Sequence, residues 1–241
     1  MKNQKKIQNS SFLCLILFLF LTSLLSLRAL KKVRIQDIKI SDSELFSKED
    51  VVNNSSLKFP VRLIFIETNF LEKELKQNLS LKNVSISRQI FPFNLVVRIE
   101  TRTPLAYAEK KLNNKKIQGF VDKSGNFIAK KNADKKNLNK LTIQVFGWEE
   151  KFKNILSEIF MAQEIYKLEI IKITFSNNGF LTVEEKDLKK VLLGFNRNLI
   201  NYQLQIINNL KIELKKNSFS EKIDSIDLTD PKKPKIKVFK P

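Results

Sequence analysis

The 241-residue chain contains no histidine. That removes the usual general base at neutral pH, the usual activator of a serine or cysteine nucleophile and the commonest zinc ligand. The only cysteine, Cys14, lies within the most apolar stretch, so neither a disulfide framework nor a thiolate metal site is available. No metal or cofactor is expected. Of catalytic machinery only a Ser-Lys pair or carboxylates remain, and no Ser-x-x-Lys stands in a convincing pocket context, so the chain reads as non-enzymatic. A membrane-anchored cell-wall hydrolase is disfavoured for the same reason. A disulfide-free domain sits on either side of a membrane, so cysteine leaves the compartment open.

Glycine and proline are scarce, with 5 and 6 residues, beside abundant lysine, asparagine, isoleucine and phenylalanine. A drift toward A/T-rich codons has that appearance. The formal net charge of +19 normally prompts a search for nucleic acid or anionic membrane. Here the excess is spread out. Residues 31–130 carry 19 basic against 11 acidic residues and residues 131–241 carry 21 against 14, with no arginine-rich stripe and no interleaved aromatics. Nucleic acid is therefore not an expected partner, nor is a small-molecule substrate. Lys31, Lys32 and Arg34 remain candidates for contact with anionic lipid.

One long apolar run exists: FLCLILFLFLTSLLSL, residues 12–27, continued by Arg28, Ala29 and Leu30. The 12–30 segment is long enough to span a bilayer, with Arg28 able to snorkel. A cleaved signal peptide is the alternative, but both small-residue pairings near its end put leucine at the outer position, which favours an uncleaved anchor. Basic residues on the two sides nearly balance, so charge alone does not give the orientation.

Beyond the anchor, VRIQDIKI (33–40) alternates with a one-residue slip and predicts a strand with a bulge. Ser47 and Asp50 have capping-box spacing for a short helix ending near residues 53–56, and Thr68 caps a second helix with Phe70 or Leu71, Leu75 and Leu79 inward. NVSISRQI (83–90), a Phe91-Pro92-Phe93-Asn94 turn and LVVRIE (95–100) predict a hairpin. In RIETRTPLAYA (98–108) a strand meets a proline that lacks the ladder donor, so the chain leaves the first sheet and LAYA begins a new unit.

The β-α-α-β-β order, the Phe-Pro hairpin and the junction residues Arg102, Pro104, Leu105 and Ala106 resemble the POTRA domain of the bacterial cell-division family FtsQ, also called DivIB. Later segments follow that family in order. Val121-Asp122-Lys-Ser-Gly125 resembles its early hairpin. An amphipathic helix over 152–166 puts Phe152, Ile155, Leu156 and Ile159 on one face, and Ser176-Asn-Asn-Gly179 turns a hairpin. Val191-Leu-Leu-Gly194 resembles a strand end of the family, a helix through Ile200, Leu204, Ile207 and Leu214 follows, and IDSIDLTDPKKPKIKVF (223–239) resembles the closing strand, turn and last strand. Thr101 and Thr229 depart from the family's usual glutamate and arginine.

The resemblance implies an α+β architecture. It comprises a cytoplasmic tail (1–11), a single transmembrane helix (12–30), a POTRA domain (31–103) and a β-rich second domain with packed helices (104–241). It implies a single-pass inner (plasma) membrane protein at the division septum, with its bulk periplasmic or extracytoplasmic. The implied role is a non-enzymatic divisome scaffold that binds FtsL- and FtsB/DivIC-like coiled-coil partners and regulates septal peptidoglycan synthesis. The FtsB-type partner of the family docks along the closing strand, which maps to Asp227, Leu228, Thr229, Lys235, Ile236 and Lys237. A last strand followed only by Lys240 and Pro241 is expected to be an open edge, although lysines also blunt edges against aggregation. The alternative is a POTRA-containing protein of polypeptide export or outer-membrane assembly, which usually carries several repeats or a barrel; neither is seen.

Overall fold

Helix α1 runs from Lys2 to Ala29 in a computed structural model that describes residues 2–112, 115–216 and 223–239, without the side chains of residues 2–12, 25, 28, 29, 135–137 and 215. Lys240 and Pro241, invoked above beyond the last strand, lie outside the described residues. Leu13, Leu27 and every residue from Leu15 to Leu21 are exposed on α1, so its apolar surface goes all round. Among the described residues, no helix is long and apolar enough to cross a membrane. The chain divides into two compact units, Met1–Thr101 and Arg102–Pro241.

In the first unit the slip in VRIQDIKI is a turn and not the expected bulge. Strand β1 (Lys32–Val33) gives way to a 3-10 turn over Ile35–Asp37 and then to β2 (Ile38–Ser41). The Arg34 amide donates to Asp37 Oδ2 at 2.8 Å, which closes the turn and leaves both Val33 and Ile38 buried. Helix α2 (Lys48–Asn53) starts at the expected capping box, with the Asp50 amide donating to Ser47 Oγ at 3.1 Å and the Ser47 amide donating to Asp50 Oδ2 at 2.8 Å. A two-residue strand, β3 (Val61–Arg62), pairs with β1. In α3 (Thr68–Asn78) the cap is Glu67 and not Thr68, which is the first helical residue. Leu71, Leu75 and Leu79 are buried at helical spacing, while Phe70 faces solvent.

Strands β4 (Asn83–Gln89) and β5 (Asn94–Glu100) form the expected hairpin, and β2 joins β5 in parallel to give the order β2-β5-β4. Central position explains why LVVRIE is nearly continuously apolar: Leu95, Val97 and Ile99 face the helices, and Val96 is buried on the other side.

The second unit is one nine-stranded sheet. Its strands are β6 (Ala106–Leu112), β7 (Lys115–Val121), β8 (Phe127–Ala129), β9 (Gln144–Trp148), β10 (Ile170–Phe175), β11 (Leu181–Glu185), β12 (Lys189–Gly194), β13 (Ile223–Asp227) and β14 (Lys235–Val238). Their order is β14-β13-β12-β11-β10-β9-β6-β7-β8. Strand β9 lies parallel between β6 and β10, and Gly147 (φ +71°) is the extra residue of its bulge, where a Cβ would stand 2.0 Å from the Phe175 carbonyl oxygen.

Helix α4 (Lys153–Tyr166) connects β9 to β10, and α5 (Ile200–Lys216) makes the parallel crossover from β12 to β13. The expected apolar face of the 152–166 segment is all buried, and Phe152 stacks on Phe175 with centroids 4.2 Å apart. A smaller cluster of Phe120, Ile128 and Ala133 forms apart from the main core.

Glu185 ends β11 with its carboxylate fully buried. Three amides donate to it, from Glu169 (3.1 Å), Asp187 (2.7 Å) and Leu188 (3.0 Å), and Lys211 Nζ of α5 lies 2.5 Å away. Burial alone would lower the Lys211 pKa, but the hydrogen bonds and charges of Glu185 and Asp187 outweigh it and raise the ammonium above its ordinary value. The Lys211 ammonium is therefore charged at neutral pH, and the stability it contributes is lost as pH rises through that raised value. Lys211→Met leaves the buried carboxylate without its cation and is expected to cost about 3 kcal/mol. Urea denaturation followed at Trp148, the only tryptophan and a residue of this unit, measures the loss; an unchanged midpoint would contradict the assignment.

Candidate partner-binding edge

The segment expected to bind a partner is the end of the sheet. Asp227 is the last residue of β13, and Lys235, Ile236 and Lys237 are the first three of the four in β14. The antiparallel register sets Asp227 opposite Lys235, Ile226 opposite Ile236 and Ser225 opposite Lys237. Because side chains alternate along a strand, Ile236 and Val238 fall on one face of β14 and the two lysines on the other. All four side chains of β14 are exposed, and among the described residues no strand pairs with its outer side.

The face bearing the lysines is a ladder of charge. Lys172 is paired to Glu184 at 2.8 Å, Glu184 sits opposite Lys190, Lys190 opposite Ser225, and Ser225 opposite Lys237. The ladder thus ends at the free edge on a cation. Asp227 Oδ1 accepts the Thr229 hydroxyl at 2.7 Å and the Thr229 amide at 2.9 Å. These bonds, helped by the charges of Lys235 and Lys237, hold its carboxyl below the usual carboxylate range. The contact is complete above the ordinary aspartate pKa and is lost only as pH falls through the lowered value.

Leu228 differs in kind from its neighbours. Its side chain is fully buried in the core and its amide donates to Leu192 O at 2.9 Å, so it holds the segment in place and presents no side chain to a partner. Gln203 of α5, fully buried, donates through Nε2 to Leu193 O (2.8 Å) and Leu228 O (2.7 Å), bridging the ends of β12 and β13. This residue was missed from the sequence. Its signal is a polar side chain within the inward positions Ile200, Leu204 and Ile207 of an amphipathic helix.

The junction residues lead into β6, towards the other side of the sheet, with β7 and β8 beyond it. Strand β5 already stops at Glu100, before Thr103-Pro104, and Leu105 rejoins a ladder through its amide to Val121 O at 2.8 Å. Ala106 is buried as the first residue of β6. Arg102 Nη1 donates to Asp122 Oδ2 at 2.5 Å, which also accepts the Asn126 side chain at 2.9 Å. The structure thus unites two sequence motifs, the junction and Val121-Asp122-Lys-Ser-Gly125, and ties Arg102 to the second compact unit, which begins with it. At Gly125 (φ +75°) a Cβ would meet the Lys153 carbonyl oxygen at 2.2 Å, and Trp148 Nε1 donates to its carbonyl at 2.9 Å.

Gln203→Leu keeps the shape of the bridge and strips two buried carbonyls of their donor. It is expected to destabilise this unit by about 2 kcal/mol and to speed exchange of the Leu228 amide, read by amide hydrogen exchange; equal rates in both proteins would refute the role.

The match to known families begins at Val33 of the first unit and ends at Arg102, the first residue of the second. Residues 33–102 match the family model described as POTRA domain, FtsQ-type, from β1 through β5 to the junction arginine. No curated protein gives a significant match to the chain. The matched order is the one built above, with two helices packed over a three-stranded sheet whose last two strands form the Phe-Pro hairpin. Residues 33–102 are a POTRA domain of the FtsQ type, and in that part of the chain the resemblance to the FtsQ/DivIB family holds.

Proposed function

We propose that the chain is a non-enzymatic divisome scaffold of the FtsQ type, anchored by α1 and binding an FtsB/DivIC-like partner by strand addition at β14. The FtsQ-type POTRA domain supports a divisome scaffold role in general. The open outer side of β14 is the observation that carries the finer reading. A strand laid along it takes backbone hydrogen bonds from β14, while Ile236 and Val238 offer apolar contacts on one face and Lys235 and Lys237 attract acidic side chains on the other. FtsL-like proteins are the second class of partner in this reading.

The anchor reading rests on length and surface. The apolar part of α1, residues 12–29, rises about 27 Å, close to the roughly 30 Å hydrocarbon core, and the helix exposes leucine, isoleucine and phenylalanine from Leu15 to Leu21. In this reading the tail before α1 is cytoplasmic, the chain beyond α1 is extracytoplasmic, and the protein works at the septum to control peptidoglycan synthesis.

Co-purification from native membranes tests the proposal by comparing the full chain with one ending after Asp230, which removes β14 and keeps Leu228 and the Gln203 bridge. Small FtsL-like and FtsB-like coiled-coil proteins are expected with the full chain and at least about tenfold less with the truncation, the equivalent of about 1.4 kcal/mol. Equal recovery would move the binding surface elsewhere. Recovery with neither would overturn the division reading and favour export.

A further inference from the structure

Close after α1, which ends at Ala29, the first unit exposes apolar and cationic side chains together. Ile35, Ile64 and Phe65 are 39%, 50% and 65% exposed, and Lys32, Arg34 and Arg62 are exposed beside them in sequence or register. The β1–β3 ladder explains the grouping: Lys32 sits opposite Arg62 and Val33 opposite Val61, so the chain leaving α1 is zipped to the segment that carries Ile64 and Phe65. The Leu63 amide donates to Lys31 O at 3.3 Å, and Arg88 Nη1 donates to Ile64 O at 3.2 Å. Leu63 and Ile66 are buried, which fixes the 3-10 turn Leu63–Phe65 with Ile64 and Phe65 outward. None of the ion pairs among the described residues involves Lys32, Arg34 or Arg62.

We propose that Ile35, Ile64 and Phe65, with Lys32, Arg34 and Arg62, dock the POTRA domain onto an anionic lipid surface. The inference rests on α1 being the membrane anchor. Lys31 lies two residues beyond Ala29, at most about 7 Å of extended chain, and its carbonyl is bonded to the turn itself. The patch is therefore tethered within reach of the interfacial layer, which is about 5–8 Å deep on each side of the hydrocarbon core. An apolar group ringed by cations that no carboxylate neutralises, with the Arg62 guanidinium 5.9 Å from the Phe65 ring centroid, matches that layer, with the acyl boundary below and phosphate around it. A docked patch restrains the first unit against the bilayer from its first residues onward.

The full chain, reconstituted into vesicles of phosphatidylcholine with or without phosphatidylglycerol, tests both layers of the argument. A nitroxide at native Cys14 reports on the anchor. A second, at Gln36→Cys in a Cys14→Ser background, reports on the patch without altering any of its six side chains. Oxygen and a water-soluble nickel chelate serve as relaxing agents. The expected result is a Cys14 label reached by oxygen and not by chelate, together with a residue 36 label shielded from chelate only when phosphatidylglycerol is present. Ile64→Ser/Phe65→Ser and Lys32→Glu/Arg34→Glu should each abolish that shielding; the change of lipid requires no substitution and stands independently of their folding. A deep Cys14 with residue 36 open to chelate in both vesicles would overturn the patch while leaving the anchor. A Cys14 label open to chelate would overturn both.

Discussion

Helix α5 is the constraint on which the end of the sheet depends. A parallel neighbour cannot be reached by a tight turn, so β13 can join β12 only through a crossover. The chain supplies α5 for that, and α5 is fixed twice: Gln203 bridges Leu193 and Leu228, and two turns later Lys211 is held by Glu185 and Asp187. Apolar burial of Ile200, Leu204 and Ile207 supplies the bulk of the attraction without direction. The two polar contacts set the position of the helix along the sheet, and with it the register of β13. Strand β14 then pairs with whatever β13 presents. The binding edge is thus positioned from the core outward, by residues that do not belong to it.

The edge also shows how one composition serves two ends. Lysine is common throughout this chain, yet on β14 the alternation of the strand sorts Lys235 and Lys237 onto the face that carries Lys190 of β12, opposite a face that carries Ile226 and Ile236. Charges on an edge deter indiscriminate pairing by other chains. The same charges admit a strand of opposite sign. Thr229 serves the backbone here: it bonds Asp227 and, through its methyl group, lies 3.1 Å from where a Cβ on Gly194 would stand.

Local signals were legible in the sequence and non-local ones were not. The Ser47/Asp50 capping box, the Phe-Pro hairpin and the Asn-Gly turn at Gly179 each act over four residues, and each stands where it was expected. The turn at Ile35–Asp37 was read as a bulge because both devices shift the apolar alternation by one; only the Asp37-to-Arg34 bond separates them. Glu67, without a side-chain bond of its own, displaced Thr68 as the cap of α3. Strand β9, whose parallel partners lie far away in sequence, had no local mark, and neither did the pairing of Glu185 with Lys211, 26 residues apart. Of the edge residues, Leu228 separated from its neighbours only when burial was known.

The openness of β14 is the central claim, and amide hydrogen exchange on the free full-length chain tests it most directly. In an antiparallel edge strand alternate amides bond the inner neighbour and the others point outward. Over Lys235–Val238 the expected result is alternation, with slow amides facing β13 and amides facing away exchanging almost as fast as unprotected ones. Uniform protection across the strand would mean that its outer side is already covered, and would contradict the account.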